Sequence, residues 1–127
     1  MAGIPGTRAL KTFVGDYDFA VDGGGTGTIV LRSESGPIPN GAIIVGGYLD
    51  VQTACLSGTG TIALQSNAAA DVLAASAQAA LTVGIKSIIP AFTGATAVKL
   101  TAERSPAMVI ATAAFTAGKF RLVLVYV

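Results

Sequence analysis

The sequence predicts an all-β fold, a β-sandwich or jelly-roll-like barrel of about seven or eight short strands with one short alanine-rich helix or loop attached. Three observations carry this. Apolar and polar residues alternate with period two in several segments. Gly, Pro and Asn turn signals recur about every 8 to 12 residues. The chain runs out through FRLVLVYV (120–127), which is apolar on both faces of a strand.

In order along the chain, residues 1–15 read as an extended N-terminal arm, broken by Gly3, Pro5 and Gly6 and carrying Ile4 and Leu10 as its large apolar groups near the start. A single β-sandwich domain then spans 16–127. From Asp16 the chain alternates: Tyr17, Phe19 and Val21 take the core face while Asp16, Asp18 and Ala20 take the other. The glycines of DGGGTG (22–27) turn the chain, and Thr28–Ser33 returns as a second strand. GPIPNG (36–41) is a loop, since its prolines lack backbone donors and Asn-Gly favours a turn.

A third strand starts at Ala42. It reads AIIVGGYLDVQTACL, and Gly46-Gly47 within it predicts a bulge or bend that lets one long strand serve two parts of a sheet. The turn Ser57–Gly60 leads into a fourth strand, Thr61–Gln65. The pentapeptide GTGTI therefore occurs twice, at 25–29 and 58–62, each time as the second half of an expected hairpin. Ile29 and Leu31, like Ile62 and Leu64, would aim at one face.

Residues 67–81, NAAADVLAASAQAAL, break the alternation. Their alanine content predicts a helix of about three or four turns with Ser66 or Asn67 as N-cap, an ordered loop being the alternative. After the loop AFTGAT alternation resumes, with Val98, Leu100 and Ala102 facing inward and Lys99, Thr101 and Glu103 facing water. Turns at Arg104-Ser105-Pro106 and 116–119 bound a strand over 107–114 and the final strand. In that strand Phe120, Leu122, Leu124 and Tyr126 form one apolar face and Val123, Val125 and Val127 the other. Burial on both faces places it at the centre of the sandwich or beneath a neighbouring subunit.

Composition narrows the function. Charged residues make up 12% of the 127 residues and hydrophobic residues 52%, against roughly 25% charged in ordinary soluble domains. So few charges coat a small monomer poorly, which points to surface hidden against copies of the chain or another protein. Eight Lys and Arg against seven Asp and Glu leave a net charge of +1 and never form a run. That excludes the clustered positive field of a nucleic-acid interface. The long low-charge stretch 38–70 is interrupted by Gly46, Gly47, Asp50, Gln52, Ser57 and Gly58, so no membrane-spanning helix is expected. The start lacks the apolar stretch of a signal peptide, and export by that route is not expected. Cys55 is the single cysteine; it excludes an internal disulfide and reads as a packing residue.

Candidate chemistry is sparse. There is no histidine, and hence no imidazole base, nucleophile partner or metal ligand. Neither glycine loop is followed by Lys-Ser or Lys-Thr, and both lead into strands rather than helices, which argues against phosphate binding. Asp16, Asp18 and Asp22 are the one carboxylate group spaced to offer oxygens to Ca²⁺, but they lack the EF-hand pattern and read as a solvated strand face. Three Tyr, five Phe and no Trp fall mostly on core faces, leaving few platforms for sugars or bases. No enzyme activity, cofactor or metal is expected.

The segments PNGAIIVGGYLDVQTA (39–54), SGTGTIALQSNAAADVLAA (57–75), IPAFTGATAVKLTAERSPAMVIATAAFTAGKF (89–120) and the closing VLVYV resemble minor capsid or head-decoration (cement) proteins of tailed bacteriophages. The resemblance covers nearly everything after residue 15. It implies a β-rich structural protein, often a homotrimer, on the capsid exterior of the virion, whose partners are the major capsid protein and its own copies. It also implies contact with neither nucleic acid nor membrane. On that reading Ile4, Arg8 and Leu10 of the arm are the expected capsid contacts. The alternatives are a tail, neck or head-fibre protein, or a ligand-binding β-sandwich using Asp16, Asp18 and Asp22.

Overall fold

A computed structural model describes residues 10–127. Among them nine strands form: β1 (Lys11–Asp18), β2 (Gly27–Val30), β3 (Ile43–Leu56), β4 (Thr61–Gln65), β5 (Leu73–Ala77), β6 (Gly84–Lys86), β7 (Val98–Lys99), β8 (Ala107–Ala111) and β9 (Ala117–Tyr126). A helical turn, α1 (Phe19–Asp22), follows β1, and a 3-10 turn, Gln78–Ala80, follows β5. One sheet has the order β1-β9-β3-β6, with β7 also paired to β3; the other has the order β2-β8-β4-β5. All pairings are antiparallel. The fold is the expected all-β sandwich.

Alternation builds the core between the sheets. Phe13 and Tyr17 of β1, Leu49 and Val51 of β3, and Phe120, Leu122 and Leu124 of β9 come from one side. Leu31, Ile62, Leu64, Met108 and Ile110 come from the other. The Tyr17 ring tilts against Phe120 at a centroid distance of 5.2 Å, and its hydroxyl donates to the Gly23 carbonyl at 2.6 Å. Burial, reinforced by nearby Cys55, Asp22 and Asp18, pushes that phenol up to about 12. Cys55 is fully buried, and burial holds its thiol up at about 11, against the opposing backbone hydrogen bond from Lys119. The packing role expected of it is what the fold uses.

β9 is central in its sheet, with its inner face buried and its outer face only partly covered: Val125 and Val127 are half-buried. It lies between β1 and β3 along almost its whole length. Val123, on its outer face, keeps only 9% of its surface, flanked in register by Val14 and Tyr48. The Gly46-Gly47 pair produces the expected irregularity: the β3–β9 register shifts between Ile44 and Gly46.

Four expectations are corrected. β1 begins at Lys11 and pairs with β9 from its first residue, so 11–15 belong to the sheet rather than the arm. The alternation through Phe19 and Val21 is not a strand: the Asp18 carboxylate accepts the Ala20 N–H at 3.0 Å, Asp22 accepts the Asp18 N–H at 2.9 Å, and the chain coils into α1, exposing Val21. The inward alternation of Val98 and Leu100 holds, but ladder pairing covers only Val98 and Lys99.

The third and fourth corrections concern the repeat and the alanine-rich segment. The two GTGTI copies are not halves of hairpins; β1 and β3 lie in one sheet and β2 and β4 in the other, so each copy carries the chain across the sandwich. The copies then flank β8, with Ile29 opposite Met108 and Ile62 opposite Ile110. Their glycine loops close on the same segment: Gly24 accepts the Phe115 N–H at 2.8 Å, and a side-chain carbon at Gly24 or Gly60 would strike the backbone carbonyl of Phe115 or Ala113. Residues 67–81 form a loop, β5 and the 3-10 turn, not a helix. The Asp71 carboxylate gathers the N–H groups of Ser66, Asn67 and Ala68 at 2.7, 2.9 and 2.8 Å. Val72 is buried, and the following strand completes the sheet beside β4. Alanine's helix preference, a few tenths of a kcal/mol per residue over most others, is outweighed by that burial and the ladder. Asn67 caps no helix; its Oδ1 accepts from Thr101 N, Thr101 Oγ1 and Arg104 Nε.

Candidate interaction surface

The outer face of the β1-β9-β3-β6 sheet carries the most organised surface chemistry. Strand register lines its side chains into cross-strand rows. One row is Val14, Val123 and Tyr48; the next is Asp16, Arg121, Asp50 and Ile85. Gly46, opposite Val125, lies beneath the ring of Phe92. An apolar half thus adjoins a charged half.

In the charged half Arg121 Nε donates to Asp16 Oδ1 at 2.8 Å. The hydrogen bond it donates to Asp16, together with the charges of Asp16 and Asp50, raises the guanidinium above its usual range. Beside it Arg32 Nε donates to Asp22 Oδ1 at 3.0 Å, and the Arg32 backbone exchanges hydrogen bonds with that of Asp16. Arg32 and Arg121 keep 47% and 50% of their side-chain surface, so solvent screens both pairs and each adds little to stability. Two shallow clefts share Asp16, Arg32 and Arg121. One of about 600 Å³ adds Val14, Ser33, Glu34 and Ser35; the other, of about 430 Å³, adds Tyr17, Asp18, Val21, Gln52, Lys119 and Phe120.

Asp16 and Asp22 face arginines and Asp18 caps α1, so the three carboxylates spaced for a cation are each engaged elsewhere. Among the described residues no group of three His, Cys, Asp or Glu is placed to hold a metal ion. No described helix is long and apolar enough to cross a membrane. Of the expected contact residues, Ile4 and Arg8 lie outside the described residues; Leu10 is described and exposed.

Exposed apolar side chains mark the surface more clearly than any polar group. Phe92 keeps 73% of its surface, Val21 66%, Ile85 65%, Val83 64% and Val30 58%, with Tyr48 and Leu56 also exposed. Most aromatic residues are expected on core faces, and Phe13, Tyr17, Phe115 and Phe120 are there. Phe92 and Tyr48 are not. The signal for Phe92 was its place in AFTGAT, a loop that carries no strand alternation.

No protein-family model matches this chain, and no curated protein matches it. Solved structures do. A chain of the cyanophage Pam1 capsid asymmetric unit superposes with a TM-score of 0.60 and 23% identity, over 99% of this chain and 91% of that one. A chain from the capsid of Ralstonia phage GP4 gives 0.63 and 21%, over 100% and 90%. A chain from the acid-stable capsid of Helicobacter pylori bacteriophage KHP30 gives 0.60 and 13%, over 94% and 87%. This chain shares their fold across nearly the full length of each partner.

Proposed function

We propose that this protein is a non-enzymatic structural component of a phage virion, bound to the outside of an icosahedral capsid, where it stabilises the shell by bridging coat subunits. The observation that carries this reading is the full-length correspondence of fold with chains from three phage capsids. Exposed apolar side chains on a weakly charged surface support it, because such side chains are expected to be covered in an assembly.

The mechanism is added interface. Each copy contributes contacts to more than one coat subunit, and an oligomer, a trimer in this reading, multiplies them at one site so that release requires every contact to open together. Residues 1–10, with Ile4, Arg8 and Leu10, supply capsid contacts. A net charge of +1 with no basic run suits a protein that stays clear of packaged nucleic acid.

Purified protein mixed with capsid shells that lack it, then imaged by electron cryomicroscopy, tests the proposal. Ordered density on the outer shell is expected, with a higher temperature for shell disruption. Density confined to the tail or neck of intact particles, or no binding, overturns it.

A further inference from the structure

The chain holds two asparagines, Asn40 and Asn67, and the fold treats them differently. An asparagine amide is open to attack by the backbone nitrogen of the residue that follows it. Two things set the rate: how far that residue's side chain shields the nitrogen, and how firmly the fold holds both groups. Asn67 is held at both. Its Oδ1 accepts from Thr101 N, Thr101 Oγ1 and Arg104 Nε, and the N–H of Ala68 donates to Asp71 Oδ2 at 2.8 Å.

Asn40 is exposed, and the residue after it is glycine, which has no side chain to shield its nitrogen. Pro39, Asn40, Gly41 and Ala42 form a turn closed by the Ala42 N–H on the Pro39 carbonyl at 3.2 Å. Gly41 holds φ at 83°, the positive angle that the third position of a type II turn requires. One bond restrains the nucleophile: the Gly41 N–H donates to the Leu100 carbonyl at 2.9 Å, and the Leu100 N–H returns to the Ala42 carbonyl at 2.8 Å. Leu100 directly follows β7, whose ladder on β3 is two residue pairs long. The guard on Gly41 therefore hangs on a short strand end, which opens without the whole sandwich opening.

We propose that Asn40 is a site of spontaneous deamidation, gated by the lifting of Val98–Leu100 from β3 and the turn. Once Leu100 releases it, the Gly41 nitrogen attacks Asn40 Cγ. The N–Cγ bond forms, the Cγ–Nδ2 bond breaks, and the proton of the Gly41 N–H leaves with the amide nitrogen as ammonia. Water then opens the cyclic imide at either carbonyl, giving aspartate or isoaspartate at position 40. Either product adds a negative charge to an exposed turn. Isoaspartate also routes the backbone through Cβ, and the lengthened chain no longer fits the turn that Ala42 closes on Pro39. Ile38 and Ala42, buried on either side of that turn, lose their tether, so the modification loosens this corner of the sandwich.

Incubation of the full chain in mildly alkaline buffer, followed by peptide mass mapping and ion exchange, tests it. Conversion is expected at Asn40 and not at Asn67, and at least about tenfold slower in the native chain than in the chain unfolded in urea. Leu100→Ala, which empties a core position under the gate, is expected to speed native conversion several-fold. Leu64→Ala, an equally buried change in the other sheet, is expected to leave it near the wild-type rate. Equal rates in native and unfolded chains, equal acceleration by the two variants, or no native conversion even in Leu100→Ala overturns the gate; Asn40 unconverted in urea overturns the site. Should Leu100→Ala not fold, hydrogen exchange in the wild type decides. The Gly41 N–H is expected to exchange well before the Leu122 N–H of central β9, and exchange of both together overturns local opening.

Discussion

Gly118 presses its backbone against Cys55 in the core: a side-chain carbon on Gly118 would lie 2.7 Å from the Cys55 sulfur, and Gly118 itself holds φ at 149°. The contact joins β9 to β3 near the point where their register slips between Thr53 and Leu56. Gly118→Ala therefore combines overpacking with a backbone angle that disfavours a side chain, and is expected to cost about 2 to 4 kcal/mol. A double-mutant cycle with Cys55→Ala, read by chemical denaturation, checks the cause. Partial recovery in the double variant is expected, and strictly additive losses would sink the packing explanation.

Alkaline pH acts on the same region. The thiol of Cys55 is raised from 9.0 to about 11 and the phenol of Tyr17 from 10.0 to about 12 on folding. Above pH 9 the unfolded chain gives up protons that the folded chain keeps, so the unfolded state binds fewer protons and stability falls as pH rises. The loss begins near pH 9 and is complete near pH 12 for these two groups. Denaturation midpoints measured across that range should show the fall, with Cys55→Ala flattening its lower part and Tyr17→Phe its upper part.

Asp71 holds the loop that replaces the expected helix. Asp71→Ala leaves the N–H groups of Ser66, Asn67 and Ala68 without their acceptor and is expected to cost about 2 to 3 kcal/mol. Asp71→Asn keeps one acceptor oxygen and should lose less. Equal midpoints for wild type and Asp71→Ala in urea would show that water replaces the carboxylate without penalty.

The surface ion pairs should behave oppositely. Asp16→Asn and Asp22→Asn break the pairs with Arg121 and Arg32, yet both arginines keep about half of their side-chain surface, and each change is expected to leave the melting temperature nearly unchanged. Raising salt should shrink even that difference. Asp22→Asn should cost the more of the two, because the Asp22 carboxylate also accepts the Asp18 N–H. A thermal melt in low and high salt measures both points.

Most strands were legible because period-two alternation is a local property. Thr61–Gln65 is β4 to the residue, and the Gly46-Gly47 irregularity falls where the glycines put it. Where alternation was overruled, a short-range polar contact did it: Asp18 and Asp22 coil Phe19–Asp22 into a turn that no hydrophobic pattern announces. The interaction surface was less legible. Val30 and Ile85 lie on edge strands and Val83 and Phe92 in connecting segments, and their exposure follows from which strands end at the sheet edges. Arg121 and Asp16, 105 positions apart, meet only because β9 runs beside β1.

The sequence by itself determined the class of fold, the positions of the turns, the burial of Cys55 and the two-faced apolar character of β9, since each depends on residue type and spacing over a few positions. Tertiary structure decided which strands share a sheet, that both GTGTI loops cross the sandwich onto the segment ending at Phe115, and that the alanine-rich stretch becomes a loop and β5. The physical reason is range: a strand's face is set by its neighbours in sequence, whereas pairing and crossing are set by residues brought together across the whole chain.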